Sequence, residues 1–533
     1  MSITTETTDS AVIREYRIRL PRWLRTLPGW LRTGGILLLL CAISIWVRSR
    51  YVGGQFWMDE GITVGISSHS LSAIPGIMRV DGSPPLFYML LHIWMSWVGN
   101  SEAATHWLSI IFATLTIPVS YWGTLSFAGK RAALSAATVF AFNAFLDYYS
   151  LETRMYTLMT LLGLLATIGF IRGFVLRERR YVALFAVSQA LMFYTHNWSL
   201  FFAAAAAISL AILYRYSGAE IRKDLIRDAI FAFVGAVILF APWIPNFIYQ
   251  VAHTAAPWDT RPRFGAPIQI ATGVIGAASL TVVMVVGAVV GYSKLFTRPH
   301  RMTQEARIAL MLLCLGIGTL VVAWVSSQVV TPAWVVRYFA PAIPAMLILL
   351  AIGISRAGVV GAVVVIFLVL FMARPSAFEP AYKSDMQDLG AEMGQLMHNG
   401  DLVIVGQPES TPLAYYYLPG GLRWANTMGP DPHPTYFNWV NALPRYKAEN
   451  VTTTVDGMLN ALKPGQQLLF IRPMTEGALN WKAPWTFEIR KRSAQYGAII
   501  ARDKQLVQVA TAPHYYRGAC CIADSAVLYK KVH

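Results

Sequence analysis

The stretch Phe56–Ile62, FWMDEGI, decides how this chain is read. It sets two adjacent carboxylates, Asp59 and Glu60, just after the first long apolar run and just before a second apolar segment, ITVGISSHSLSAIPGIM. A carboxylate beside hydrocarbon is costly unless it is paired or hydrogen-bonded, so such residues mark candidate sites. Adjacent positions point in different directions from any element, and one of the two can face a cavity while the other braces it. A partly buried carboxylate can take the proton from a hydroxyl nucleophile, with its pKa tuned by burial or a neighbouring charge. The plainer alternative is that both are solvated residues at the end of a helix.

Outward from that stretch, the chain is too apolar for a water-soluble domain. Of its 533 residues 55% are hydrophobic and 14% charged, with a mean hydropathy of +0.47, so lipid must cover much of the surface. Stretches able to cross about 30 Å of hydrocarbon as helices fall at 34–49, 106–127, 132–147, 155–171, 181–195, 199–214, 229–248, 269–291, 307–326, 338–354 and 358–373, which predicts about 11 transmembrane helices. The basic excess, 44 Lys plus Arg against 28 Asp plus Glu, is distributed by side and does not point to nucleic acid. Arg14, Arg17, Arg19, Arg22, Arg25 and Arg32 precede the first span. Lys130 with Arg131, then Arg172 to Arg180, Arg215 to Arg227, Lys294 to Arg301, and Arg356 mark every second connection after it. This pattern places the N-terminus in the cytoplasm and, after an odd number of spans, the tail on the exterior face. With no small-residue cleavage site after the first span and no lipidation signature, that span is expected to stay as an anchor. The expected regions are a cytoplasmic basic N-terminus (1–33), a transmembrane domain (34–373) whose first exterior loop is 50–105, and an exterior α/β domain (374–533).

The exterior connections hold the other polar clusters. Asp81, in RVDGSPP, is either a second acid of the site or part of a simple Asp-Gly-Ser turn. After it, LFYMLLHIWMSWVG is too short for a comfortable crossing, is rich in aromatics and starts at Pro84 and Pro85. It predicts an amphipathic helix in the headgroup layer, where a long-chain lipid headgroup would be handled. DYYSLETRMY puts Glu152 and Arg154 close enough to pair, and Arg154 serves either as a structural partner or as a phosphate contact. YTHNW brings in His196, either a plain interfacial histidine or a donor to a sugar hydroxyl or phosphate. VVRYFAP sets Arg337 and Tyr338 at the exterior start of the tenth span. Arg337 is the strongest candidate for holding an anionic leaving group, because a guanidinium offers fixed donors and keeps its charge. HTAAPWDTRPRFGAP supplies His253, Asp259, Arg261 and Arg263 among prolines, as a loop over a cavity or a solvated linker.

Cys41 and Cys314 sit in apolar runs, Cys520 and Cys521 are adjacent near the end, and no CxxC or metal-ligand spacing appears. In the tail, MQDLGAEMGQLM predicts a helix, DLVIVG and QQLLFIRP predict strands, and TFEIRKRSA and YGAIIARD predict two more. At about 160 residues this region can form its own core. It shapes an acceptor site or binds a partner, and it carries no recognisable catalytic constellation.

MDEGI after the first span, DGSPPLFYMLLHIWMSWVGNSE at 81–102, YYSLETRMYTL and VVRYFAPAIPAML together resemble the membrane glycosyltransferases of the C-type fold. The group they resemble contains the protein O-mannosyltransferases, the lipid A aminoarabinose transferase and bacterial galacturonosyl- and mannosyltransferases (glycosyltransferase families 39 and 83). The resemblance covers about residues 34–373. It implies a polytopic α-helical membrane enzyme, in a bacterial inner membrane, that transfers a sugar with inversion from a polyprenyl monophosphate to an acceptor hydroxyl at the outer face. The family's acid of the first exterior loop falls on Asp59 as general base, with Glu60 as its neighbour, and the acid of the next interfacial loop falls on Asp81. Members close to this pattern often have arginine where this chain has His106, so no donor-binding role is carried onto that position.

The residues fit such a reaction. A polyprenyl tail would rest against the spans, its phosphate would meet Arg337 and Arg154, and Asp59 would activate the hydroxyl, with the cations stabilising charge on the departing phosphate. The absence of a P-loop or dinucleotide motif favours a lipid-linked donor, and the acceptor is an envelope glycan, glycolipid or protein. No obligatory cofactor is predicted, although two nearby acids leave room for a divalent metal. The alternative is a transporter or flippase for a lipid-linked saccharide, which should show repeats or broken spans with charges near the bilayer centre. A scaffold acting through its tail is a third reading.

Overall fold

The computed structural model describes residues 28–254, 261–293, 303–330, 332, 334–374, 383–474, 483–512 and 524–532. Arg14 to Arg25, Asp259, Lys294, Arg298, Arg301, Cys520 and Cys521 lie outside the described residues.

The N-terminal two-thirds is a bundle of apolar helices. Among the described residues five helices are long and apolar enough to cross a membrane: Gly29–Ser49, Glu102–Ala141, Tyr156–Val175, Ala219–His253 and Gln304–Val329. A sixth is counted if Ala266–Ile275 and Ala278–Ser293, which meet at 89°, form one span. The expected count of eleven is not reached on length and composition, because helices such as Ser199–Arg215, Ile343–Arg356 and Val359–Ala373 have 14–17 residues, and at 1.5 Å per residue they rise only about 21–26 Å. The expected spans 106–127 and 132–147 correspond to two helices within Glu102–Ala141 that meet at a kink at Gly129, whose φ of 80° a side chain would resist. The end of the second becomes a separate short helix, Ala144–Ser150, capped by the Asn143 side chain accepting from Leu146 N–H at 3.1 Å.

The C-terminal region is an α/β domain with a six-stranded sheet, order β3-β2-β1-β4-β6-β5. The strands are β1 Leu402–Val405, β2 Arg423–Asn426, β3 Gly429–Pro430, β4 Gln467–Pro473, β5 Leu506–Thr511 and β6 Asp524–Lys531. β1 pairs in parallel with β2 and β4, and the other pairings are antiparallel. Alternation divides β1 between two cores: Leu402 and Ile404 pack with Val455, Met458, Tyr496 and Ile500. Val403 and Val405 pack with Met386, Leu413 and, from the first exterior loop, Phe56 and Val64. The expected strands at TFEIRKRSA and YGAIIARD are instead one helix, Pro484–Arg502. Its buried residues Trp485, Ile489, Arg492, Ser493, Tyr496 and Ile500 recur every three or four positions, a helical period that outweighs the local strand preference.

The segment 50–105 joins the two regions. Helix Met58–Ser67 lies against helix Thr411–Tyr417 of the α/β domain, and Gly61 and Gly65 make the approach close enough. A Cβ at Gly61 would lie 2.7 Å from Leu413 Cα, and one at Gly65 would collide with the Thr435 carbonyl oxygen. Leu86–Val98 is helical as expected, burying Phe87, Tyr88 and Leu91 and leaving Trp97 and Val98 exposed.

Candidate active site

The two acids of FWMDEGI occupy the first turn of helix Met58–Ser67, where the unsatisfied N–H groups favour negative charge. Successive residues on a helix point about 100° apart, and the two side chains go to different places. Glu60 points into protein and has no exposed surface. It accepts from Lys383 Nζ at 2.6 Å, His106 Nε2 at 2.7 Å, Thr153 N–H at 2.7 Å and Trp57 N–H at 3.2 Å. Burial alone would raise its pKa, but the Lys383 ammonium and His106 outweigh it and hold the carboxyl below its ordinary range. Lys383 also donates to the Leu151 carbonyl at 2.7 Å, and His106 Nδ1 lies 2.6 Å from the Val52 carbonyl. His106 thus ties the loop to Glu60.

Asp59 points the other way, into a cavity of about 300 Å³. Its Oδ2 lies 3.8 Å from Arg154 Nη2 and 3.7 Å from Arg337 Nη2. Arg154 is aimed by Thr63 Oγ1 at 2.7 Å, the Asp59 carbonyl at 3.3 Å and Tyr88 Oη at 3.4 Å. Its side chain pairs with Asp59, and its contact with Glu152 runs through the backbone, Arg154 N–H to the Glu152 carbonyl at 2.8 Å. The Arg337 guanidinium lies over the rings of Trp57 and Tyr338, 5.3 and 5.5 Å from their centroids. Both arginines have pKa values raised well above the ordinary, because nearby tyrosines and Asp59 outweigh the cost of burial.

Asp81, Arg154, His196, Arg337 and Tyr338 all line this cavity with Asp59. Asp81 ends helix Ile74–Asp81, and Gly82 at φ 99° turns the chain back. The turn is pinned by Asn197 Nδ2 to the Gly82 carbonyl at 3.1 Å and Gln250 Nε2 to the Ser83 carbonyl at 3.1 Å. Burial pushes the Asp81 carboxyl up to about 6, against the pull of Arg154. Burial, followed by the two arginine charges, lowers His196 to about 3. His196 is therefore a neutral imidazole, and because Nδ1 accepts from Trp198 N–H at 3.2 Å, the ring proton is assigned to Nε2. Tyr338 stacks on Trp198 at 4.8 Å.

Glu60 and Glu152 lie behind the wall. Glu152 is buried, and burial together with the Glu60 charge raises its pKa. His253, Arg261 and Arg263 are not on the wall, which is reached instead by Thr254. The His253 carbonyl accepts from Asn441 N–H at 2.7 Å, and the Arg263 carbonyl accepts from Trp324 Nε1 at 3.4 Å. Among the described residues no group of three or more His, Cys, Asp or Glu is arranged to hold a metal.

The opposite wall comes from the α/β domain: Gln407, Glu409, Trp439, Trp485 and Thr486. Sequence reasoning missed these residues and Lys383, because they lie far along the chain from the motifs and carry no spacing signal. The one local clue was Gly61-x-x-x-Gly65, which marks a close approach without naming the partner.

No family model matches the chain, and no curated protein sequence matches it. Its fold does match solved structures. ArnT from Cupriavidus metallidurans aligns at TM-score 0.60 and 14% identity in the apo state, over 93% of this chain and 98% of that one. Bound to undecaprenyl phosphate, ArnT aligns at 0.58 and 14%, over 92% and 98%. The oligosaccharyltransferase AglB from Archaeoglobus fulgidus, in complex with an inhibitory peptide and a dolichol-phosphate, aligns at 0.54 and 12%, over 83% and 70%. The arabinofuranosyltransferase AftD from Mycobacteria aligns at 0.53 and 14%, over 93% of this chain and 40% of that one. The chain has the C-type fold of membrane glycosyltransferases, built from apolar membrane helices followed by a C-terminal sheet domain. It is a multi-pass membrane protein of that fold.

Proposed function

We propose that the protein is an inverting glycosyltransferase that moves a sugar from a polyprenyl-monophosphate donor to a hydroxyl of a cell-envelope glycan, lipid or protein. The observation that carries this reading is the Asp59 carboxylate standing between two guanidiniums, 3.8 and 3.7 Å away, in the lining of the cavity. Asp59 takes the proton of the acceptor hydroxyl as its oxygen bonds to the anomeric carbon. The anomeric carbon–phosphate oxygen bond breaks, and its electron pair leaves on the phosphate. Arg154 and Arg337 meet that charge with donors already in place. Neutral His196 offers one N–H to a hydroxyl or a phosphate oxygen. The similar folds of ArnT bound to undecaprenyl phosphate and AglB in complex with a dolichol-phosphate support a lipid-linked donor.

The sidedness supports an outer-face reaction. The cavity lies at the Tyr156 end of Tyr156–Val175, and Arg172 in its last turn clusters at the other end with Arg177, Glu178, Arg179 and Asp228. The helix has 20 residues, which separates the two by about 30 Å. With the basic end cytoplasmic, the cavity and the α/β domain face the exterior.

The test is transfer of radiolabelled sugar from a mixed pool of polyprenyl-phosphate sugars to total envelope acceptors, comparing wild type with Asp59→Asn at matched expression. Undecaprenyl phosphate binding is measured on the same purified proteins. The expected result is loss of transfer with binding kept or strengthened, because Asn leaves both guanidiniums without their acid. Equal transfer by both proteins removes Asp59 as the base. No transfer and no undecaprenyl phosphate binding by wild type overturns the reading.

A further inference from the structure

The α/β-domain wall of the cavity differs chemically from the Asp59 side. Glu409 is 3% exposed and sits in the turn between β1 and helix Thr411–Tyr417. Its Oε1 accepts from Gln407 Nε2 at 2.9 Å and Trp485 Nε1 at 2.8 Å. Its Oε2 is buried and has no partner within the protein, although the residue lines the cavity. Two donors thus hold one oxygen in a fixed orientation, and the other is left without a donor. A buried carboxylate oxygen without a donor is a costly arrangement unless a ligand supplies one. Beside it the indoles of Trp439 and Trp485, with ring centres 5.2 Å apart, also line the cavity.

The charges on the two walls are opposite in kind. Arg154 and Arg337 line the cavity, whereas the side-chain donors that hold Glu409 are the neutral Trp485 and Gln407, and burial pushes its carboxyl up to about 7. An acidic group placed there would meet a carboxyl and no counter-charge. A hydroxyl would donate to Oε2, and the apolar face of a sugar ring would lie against indole.

From this geometry we infer that Glu409, with Gln407 and Trp439, forms a saccharide subsite contributed by the α/β domain, which takes an uncharged, hydroxyl-bearing ring and rejects an acidic one. The inference rests on the glycosyltransferase reading and narrows it, since it names the sugar class for which the cavity is built. The ring belongs either to the donor or to the acceptor, and both present the same chemistry.

The test uses saturation-transfer-difference NMR on the full-length purified protein with methyl α-mannoside, methyl α-glucoside and methyl β-glucuronide as probes. The expected result is a signal for the two neutral glycosides that falls at least fivefold in Glu409→Gln and in Trp439→Ala. The glucuronide should give little signal with wild type. Gly76→Ala, outside the cavity lining, should keep the neutral signals, and undecaprenyl phosphate binding by the same wild-type preparation separates failure of this inference from failure of the functional reading. Neutral signals unchanged in both wall variants, a stronger glucuronide signal, or no glycoside signal with wild type each overturn the subsite. Circular dichroism and melting temperature check that Glu409→Gln, nearly isosteric, remains folded. Competition assigns the source: displacement by undecaprenyl phosphate mannose but not by undecaprenyl phosphate places the donor sugar in the subsite, and retention with both places the acceptor ring there.

Discussion

Replacing Lys383 by methionine should damage the site without touching the cavity. The ammonium is buried and sits 2.6 Å from Glu60 Oε2 and 2.7 Å from the Leu151 carbonyl. Methionine keeps most of the side-chain volume but leaves a fully buried carboxylate short of its nearest cation. Breaking a buried ion pair from one side costs about 3–5 kcal/mol, because the remaining charge is neither solvated nor paired. Here the His106 hydrogen bond to Glu60 at 2.7 Å remains, so the lower end, about 3 kcal/mol, is expected. Glu60→Gln alone leaves the ammonium facing an amide and should cost a similar amount. The double variant removes both charges and should be less destabilised than the sum of the two singles. The assay is a double-mutant cycle on thermal unfolding in detergent, followed by tryptophan fluorescence for the four proteins. Additive losses would refute the claim that the pair is coupled, and a Lys383→Met protein as stable as wild type would refute the claim that the ammonium compensates Glu60. The sign with pH follows from the lowered carboxyl: the stabilisation from Glu60 is present above its unfolded pKa, ordinarily 4.5, and is lost as pH falls through the lower folded value. Wild type and Lys383→Met should therefore converge in strong acid.

Asp81 should behave oppositely. Its pKa is raised from 3.8 to about 6, so the native state binds the proton more tightly and stability falls as pH rises between those values. The ionised group then costs about 3 kcal/mol. Asp81→Asn should raise the melting temperature at pH 8 and give no gain near pH 4, and a gain of equal size at both would count against the burial argument. Gly65→Ala puts a Cβ against the Thr435 carbonyl, which must part helix Met58–Ser67 from the α/β domain. It should lower the melting temperature and transfer together, whereas Gly76→Ala, with nothing within 4 Å of its Cβ, should change neither. Arg337→Lys keeps the charge but loses the planar fork over Trp57 and Tyr338, so undecaprenyl phosphate titrations should show at least tenfold weaker binding.

Much of this architecture was legible in the chain because lipid imposes a simple rule. Apolar runs must be helices, and carboxylates or arginines at their exterior ends need a reason. Asp59, Asp81, Arg154, His196, Arg337 and Tyr338 were each picked from such ends, and the fold brings all six to one cavity. The break at Gly129 falls between the two runs that hydropathy separates, whereas the number of spans is not fixed by hydropathy, since several apolar helices have only 14–17 residues. In the tail, TFEIRKRSA and YGAIIARD were read in separate short windows. Read through 485–500 as one window, the three-and-four spacing of Trp485, Ile489, Tyr496 and Ile500 is helical. The second wall was not legible at all, because Gln407, Glu409, Trp439 and Trp485 meet Asp59 only through tertiary packing.

That second wall gives the adjacent acids of FWMDEGI their division of labour. Glu60 is held by His106 from the long helix, by the Thr153 N–H just before Tyr156–Phe170, and by Lys383 from the start of the α/β domain. Three separate parts of the chain thereby fix one carboxylate, and Asp59 is one peptide bond away on a helix that Gly61 and Gly65 seat directly on the α/β domain. A hydroxyl's proton is taken efficiently only by a base held within hydrogen-bond reach, and a lone aspartate on a loop would not be held so. The α/β domain thus fixes the position of Asp59, the proposed base, and through Glu409 it also lines the same cavity. Membrane helices and α/β domain are on this account two halves of one active site.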